Sequence, residues 1–306
     1  MTKIIEVKNL KKTYGATVAV DDISFDVAKG EIFGLLGPNG AGKTTAVECL
    51  QALRHMDGGH VRVLGLDPKS QGEALRQRIG SQLQESALPD KIKVWEALDL
   101  FAAYSPVVSN WQELMRQWGL ADKGKTSFSH LSGGQRQRLF IALALVNKPE
   151  VVFLDEMTTG LDPAGRRVAW GLIEAIRNQG TTVMLVTHFM DEAEQLCDRL
   201  AIVDKGKIVA LDTPQRLIDT YANQVRILFS TEQPDIAWLN EIPNVSKVER
   251  KGHMVEVDGS GPLMVMVAAA LRDHEILPTD IRVERPTLED VFLKLTDSRS
   301  GDEVGS

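Results

Sequence analysis

The sequence predicts an α/β protein with a second, smaller α+β unit behind it. Three observations carry that expectation. Short continuous apolar runs, Val151–Leu154 and Val183–Val186, have the length and composition of buried parallel strands, and a further apolar run, Glu31–Leu36, leads into a glycine loop. Stretches with apolar residues at helical spacing lie between those runs. After about Leu217 the style changes to short alternating strands, which marks a unit of different construction.

Residues 4–36 read as strand-rich, with Ile4–Val7 and Ile23–Val27 alternating and the apolar run that follows Glu31 leading into a glycine loop. Thr44–Leu53 then reads as a helix. From about 72 to 130 the pattern is helical, clearest at Val94–Phe101 and Trp111–Trp118, and a helix is expected over 135–147. In the C-terminal part Val225–Phe229, Val245–Lys251 and Met254–Val257 read as strands. Helices are expected at 263–273 and 287–295, with Ile281–Val283 between them. That order is compatible with a ferredoxin-like βαββαβ arrangement. The boundaries expected are 1–217 for the first domain, 218–296 for the second and 297–306 for a polar, disordered tail.

The 306 residues are 43% apolar and 25% charged, as in an ordinary soluble protein with a proper core. A net charge of −7 argues against non-specific nucleic-acid binding, which works by neutralising phosphates. Cys49 and Cys197 stand apart and read as reduced thiols. The N-terminus has no apolar signal core, and no apolar run approaches the ~20 residues that span a bilayer. The expectation is a cytoplasmic chain whose membrane role, if any, runs through a partner.

The chemistry is concentrated in a few turns. Gly37-Pro38-Asn39-Gly40-Ala41-Gly42-Lys43-Thr44 follows a strand and opens a helix, the context of a phosphate-binding loop. Its glycines let the backbone approach phosphate oxygens, and its amides with the helix N-terminus form an anion nest. Lys43 is expected to reach the β- and γ-phosphates of a nucleotide and the Thr44 hydroxyl to ligate Mg²⁺; Thr45 is grouped with the same nucleotide contacts. Asp155 and Glu156 follow a buried strand, and ligands of such sheets bind beyond the strands' carboxyl ends. Asp155 is expected to hold Mg²⁺ through its water shell and Glu156 to polarise the attacking water. His188 ends the next apolar run and is placed to sense the γ-phosphate. Gln84, with Gln82 as a nearby competitor, is expected to ligand Mg²⁺ or water, and Tyr14 to stack on adenine. The turn Leu131-Ser132-Gly133-Gly134-Gln135 also opens a helix but lacks a lysine. Ser132 either caps that helix or, with the Gly134 amide, donates to a γ-phosphate. Two phosphate-binding turns with one lysine favour a site shared between two chains.

The glycine loop, Gln84, Leu131–Arg138, Val151–Glu156, Gly160-Leu161-Asp162-Pro163 and His188, in this order and spacing, resemble the nucleotide-binding domain of the ATP-binding cassette (ABC) family. The resemblance covers roughly 3–215. It implies a P-loop NTPase with a RecA-like core, an N-terminal antiparallel β subdomain and a helical subdomain at about 86–147. It also implies a homodimer sandwiching two ATP molecules head to tail. The contact to ATP on the opposite subunit then falls on Ser132, Gly133, Gly134 and Gln135, and the coupling of the two sites on Asp162. Met157 departs from the family's usual proline, and Thr159 from a common serine. Pro286–Leu295 resembles the closing segment of drug-resistance and antibiotic-export ATPases of the ABC-2 type, whose membrane domain is usually a separate permease.

The expected activity is therefore ATP hydrolysis that drives a permease from the cytoplasmic face of the membrane. The region from Gln84 to Phe101 would grip that permease, with Trp95 and Phe101 as candidates. An importer ATPase with a regulatory C-terminal domain is the first rival, and Pro286–Leu295 argues against it. A non-transport ABC protein is the second, and the acidic balance and lack of Cys clusters argue against it. A structural switch without turnover would not need Glu156. Asn147-Lys148-Pro149-Glu150 mimics a guanine-specificity motif, but with Glu in place of Asp and no separate base pocket.

Overall fold

The computed structural model describes residues 2–82, 87–105, 107, 110–222 and 224–297. They form two compact units, divided between Pro214 and Gln215.

In the first unit, β1 (Lys3–Tyr14) and β2 (Thr17–Ala28) make a long antiparallel hairpin. β3 (Ile32–Leu36) enters the glycine loop and α1 (Lys43–Leu50) leaves it. β4 (Gly58–Val63) returns to pair with β1, giving a three-stranded sheet in the order β2-β1-β4. α2 (Gly72–Arg76), β5 (Ile79–Gln82), α3 (Val94–Tyr104), α4 (Trp111–Gln117) and α5 (Gly133–Ala144) follow. β6 (Val151–Asp155), α6 (Pro163–Asn178), β7 (Thr182–Thr187), α7 (Met190–Leu196), β8 (Arg199–Asp204) and β9 (Lys207–Asp212) complete the unit.

The main sheet runs β5-β6-β7-β3-β8-β9, parallel except for the β8–β9 hairpin. β3, β6 and β7 are buried along their whole length, which is why they read as unbroken apolar runs rather than alternating ones. The strand β5 has no such signature: its four residues, Ile-Gly-Ser-Gln, hide inside a stretch that reads as helical. Gly80 is required there, since a Cβ would stand 2.1 Å from the Ala144 carbonyl oxygen. The core joins both sheets through Phe25 and Phe33, whose rings stack with centres 5.2 Å apart. Cys49 and Cys197 are free and buried, and burial pushes the Cys49 thiol up to about 11.

The second unit contains α8 (Pro214–Tyr221) from its second residue on, then β10 (Val225–Ser230), β11 (Val245–Lys251), β12 (Met254–Gly259), α9 (Leu263–Asp273), β13 (Arg282–Glu284) and α10 (Leu288–Asp297). Its sheet is antiparallel throughout, in the order β11-β12-β10-β13. In chain order that is 2-3-1-4, the ferredoxin-like order, with the first helix reduced to the 3₁₀ turn Ala237–Glu241. Ile227, Phe229, Val255, Val257 and the α9 residues Leu263, Val267 and Leu271 form its separate core. Of the expected disordered tail, 297–306, Asp297 instead ends α10, and residues 298–306 lie outside the described residues. Among the described residues no helix is long and apolar enough to cross a membrane.

Candidate nucleotide-binding and hydrolysis site

Parallel register sets the site. Leu36 at the end of β3 is level with Thr187 of β7, and Asp155 of β6 is level with Val186. The glycine loop, the Asp155-Glu156 pair and His188 therefore leave three adjacent strands at one edge of the sheet, as expected for open α/β sheets.

The loop's glycines are demanded by the fold itself. A Cβ on Gly37 would lie 2.2 Å from the Val203 carbonyl oxygen, and one on Gly42 would lie 2.1 Å from that of Ala19. Gly40 and Gly42 also hold φ of 81° and 96°, which only glycine adopts cheaply. Pro38, Asn39 and Gly40 are exposed, Gly37 and Ala41 are buried, and Gly42, Thr44 and Thr45 are half-buried. The first turn of α1 carries no side-chain cap and no acidic residue, so its amides face outward as an anion site. Lys43 is buried, and its Nζ donates to the carbonyls of Gly37 (2.8 Å) and Pro38 (2.9 Å). Burial lowers its pKa, while the carboxylates of Glu156 and Asp155 oppose that shift.

Asp155 is 2% exposed, hydrogen-bonded to the Thr44 hydroxyl, and raised to about 6 by burial and by the neighbouring Glu156. Its Oδ1 has no hydrogen-bond partner. Glu156 takes φ of 49°, a conformation strained for a residue with a side chain. Its amide donates to the Val186 carbonyl (2.9 Å), which pins the strained residue to β7. Its Oε1 then stands 3.2 Å from Nδ1 of His188, at ion-pair range but without hydrogen-bond alignment.

Ser132, Gly133 and Gly134 are exposed, and Gln135 is half-buried. Ser132 caps α5: its Oγ accepts from the Gln135 amide (3.4 Å), and its own amide donates to Oε1 of Gln135 (3.0 Å). This is a capping box. The helix starts at Gly133, two residues before the expected start. Asp162 caps α6 by accepting from the Gly165 amide at 2.7 Å. Tyr14 is 40% exposed, with Lys12 Nζ 5.4 Å and the Arg54 guanidinium 5.3 Å from its ring centre. Gln84 lies outside the described residues. Asn147 is a staple rather than a base reader: its Nδ2 donates to the carbonyls of Ile79 (2.8 Å) and Gln77 (3.3 Å).

Two contacts around the site have no sequence signature, because they join distant elements. Nε2 of the buried Gln137 on α5 donates to the Met157 carbonyl, just after Glu156. Glu192 on α7 is fully buried, and burial raises its pKa against the partial compensation of Thr187, Thr158 and Trp170.

Comparison with known proteins identifies the family and the fold. The family described as "ABC transporter" matches residues 20–159. The daunorubicin resistance ATP-binding protein DrrA3 of Streptomyces coeruleorubidus is 36% identical over 301 residues, covering 95% of each chain. The Nod factor export ATP-binding protein I of Bradyrhizobium diazoefficiens is 38% identical over 306 residues, covering 95% of this chain and 96% of that one. Among solved structures, an ATP-binding subunit of an ABC transporter superposes with a TM-score of 0.64 at 26% identity, over 71% of this chain and 93% of its own. CbiO1 of Clostridium perfringens superposes at 0.65 with 25% identity, over 72% of this chain and 92% of its own. The sequence relatives thus extend through the second unit, while these solved chains have little length left to match it.

Proposed function

The chain belongs to the ABC transporter family as an ATP-binding, ATP-hydrolysing subunit, and from that premise we propose that it energises export through a separate membrane-spanning permease. The observation that carries the hydrolytic mechanism is the convergence of Lys43, Thr44, Asp155, Glu156 and His188 at the ends of β3, β6 and β7.

In this reading the amides of Gly37–Thr44 and the Lys43 ammonium hold the β- and γ-phosphates of ATP. Lys43 trades the Gly37 and Pro38 carbonyls for phosphate oxygens, a stronger, charge-assisted bond. Thr44 and Asp155 suit Mg²⁺, a hard cation taking oxygen ligands, because one carboxylate oxygen of Asp155 is buried without a partner beside the Thr44 hydroxyl. When bound, that ion supplies charge neutralisation at the phosphates. Glu156 takes the proton of the attacking water, and His188 beside it orients that water and reads the γ-phosphate. Tyr14 is assigned to adenine and Gln84 to the water or metal shell.

Ser132, Gly133, Gly134 and Gln135 are assigned to the ATP held by a second copy, with Asp162 coupling the two sites. Binding then closes a homodimer and hydrolysis reopens it, since the γ-phosphate touches both chains in only one state. The permease is assigned to a groove of about 680 Å³ lined by Leu53, Arg76, Leu88, Phe101, Tyr104 and Phe140. Phe101 is a wall of that groove and Tyr104 is 85% exposed; Trp95 does not line it. In this reading the chain works at the cytoplasmic face of the membrane as a peripheral subunit. Export rather than import is favoured by Pro286–Leu295 and by relatives named for drug resistance and Nod factor export.

The test is Glu156→Gln. ATP binding is retained, phosphate release falls roughly 10²–10⁴-fold, and light scattering detects an ATP-trapped dimer. Unchanged phosphate release would remove Glu156 from the chemistry. Copurification of a polytopic membrane protein with the tagged chain tests the permease, and recovery of soluble partners alone would overturn the export reading.

A further inference from the structure

Two side chains one turn apart on α6 reach across to the turn that carries His188. The Arg166 guanidinium lies 4.8 Å from the centre of the Phe189 ring. Its terminal nitrogen is 3.3 Å from Oδ2 of Asp191. Four residues on, Nε1 of Trp170 donates to Oε1 of the fully buried Glu192 at 3.2 Å. The spacing of i and i+4 puts both side chains on one face of the helix, so α6 is fastened to α7 at two points. Phe189 in turn tilts against the imidazole of His188, ring centres 4.1 Å apart, and that imidazole stands 3.2 Å from Glu156. The same end of α6, one turn before Arg166, is capped by Asp162.

We propose that Arg166 and Phe189 are positioning residues which, braced by Trp170 and Glu192, hold His188 against Glu156 and tie its place to α6. The proposal rests on the reading of Glu156 and His188 as the hydrolytic pair. A helix moves as a stiff rod, so a displacement felt at Asp162 reaches Phe189 through Arg166 with little loss. The imidazole cannot swing freely from Glu156 without unstacking from Phe189, and Phe189 cannot follow without leaving the guanidinium. If this were packing alone, any apolar side chain of similar bulk at 189 would serve. A cation over a ring instead needs the ring.

The test is steady-state ATP hydrolysis by the full chain, with kcat and KM separated and thermal stability measured alongside. Phe189→Leu and Arg166→Gln are expected to lower kcat roughly 3- to 30-fold, the range a cation–π contact supports. KM for ATP stays within about twofold, because neither side chain is assigned to the nucleotide. Phe189→Tyr, which keeps the ring, retains kcat within about twofold of the parent chain. A normal kcat in Phe189→Leu, or an equal loss in Phe189→Tyr, would overturn the proposal. Wild-type turnover in both Glu156→Gln and His188→Ala would overturn it differently, by removing its premise.

Discussion

The two glycine-rich turns of the first unit look alike in sequence and are unlike in structure. In Gly37–Thr44 the surrounding backbone forbids a side chain: Gly37 and Gly42 face carbonyl oxygens of Val203 and Ala19 that a Cβ would strike. At Gly133 and Gly134 nothing lies within 4 Å of where a Cβ would be, and neither holds a left-handed φ. They sit in the first turn of α5, where glycine costs helix stability relative to alanine. The folded chain therefore has a reason for the first pair of glycines and none for the second. Under the proposed shared site, the nucleotide held by a second copy would supply that reason by approaching the turn closely. The turns differ in charge as well: the first is built around buried Lys43 and Asp155, while the second presents exposed Ser132 and two bare backbone amides.

The comparison is broken most directly by Gly42→Ala. It combines a backbone clash with φ of 96°, and a loss of about 3–4 kcal/mol in unfolding free energy is expected from urea titration. An unshifted midpoint would mean that the loop, too, tolerates a side chain. Next in size is Asp155→Asn, measured without nucleotide or divalent cation. The folded-state pKa of Asp155, about 6, lies above its ordinary 3.8. Between those values the folded state keeps a proton that the unfolded state has released, so stability falls as pH rises through that window. At neutral pH the variant is expected to be more stable than the parent by about 2–3 kcal/mol, with parity near about pH 4. A variant less stable at both would show that the buried carboxylate is not a strained charge.

Gly134→Ala sharpens the other side. It is expected to raise unfolding free energy by about 0.5–1 kcal/mol while abolishing ATP-driven association in the Glu156→Gln background. Association at the parent level would end the argument that an outside group needs these glycines. Smallest is Ser132→Ala, which removes the cap of α5 at the cost of about 0.5 kcal/mol, since the bond at 3.4 Å is long. A much larger loss would show that the Ser132 hydroxyl is committed to the helix and not available to a ligand.

The second unit is built on other lines. Among the described residues every buried charged side chain, Glu31, Lys43, Asp155, Glu192 and Asp204, belongs to the first unit, and the second contributes only the buried polar Thr231. Its charges pair at the surface instead, as Arg226 does with Glu256 and Asp258 across β10 and β12. Buried charge is costly unless paired or used. Its concentration in the first unit agrees with the chemistry assigned there.

What could be read from the sequence divides along the same line. Buried strands such as Val151–Asp155 were legible because both faces are covered, so apolar residues run without a break. The positions of Lys43, Asp155, Glu156 and His188 were legible because chemistry in such sheets sits where strands end. The ferredoxin-like order of the second unit was legible as a sequence of elements, although not the collapse of its first helix to one 3₁₀ turn. β5 was illegible because a four-residue strand containing Gly80 and Ser81 carries too little periodicity to separate it from its helical neighbours.

By itself, then, the sequence determined the elements whose residues are neighbours in the chain: the glycine loop, a helix opened by the Ser132 turn, and the acidic pair after β6. Local backbone geometry and hydrogen bonding within a few residues are enough for these. Tertiary structure alone decided the relations across the chain. It set the walls that make Gly37 and Gly42 obligatory, the strain on Glu156, the bond from Gln137 to Met157, and the fastening of α6 to the His188 turn. Each of these depends on which atoms the sheet order brings within a few ångströms, and separation along the chain carries no record of that.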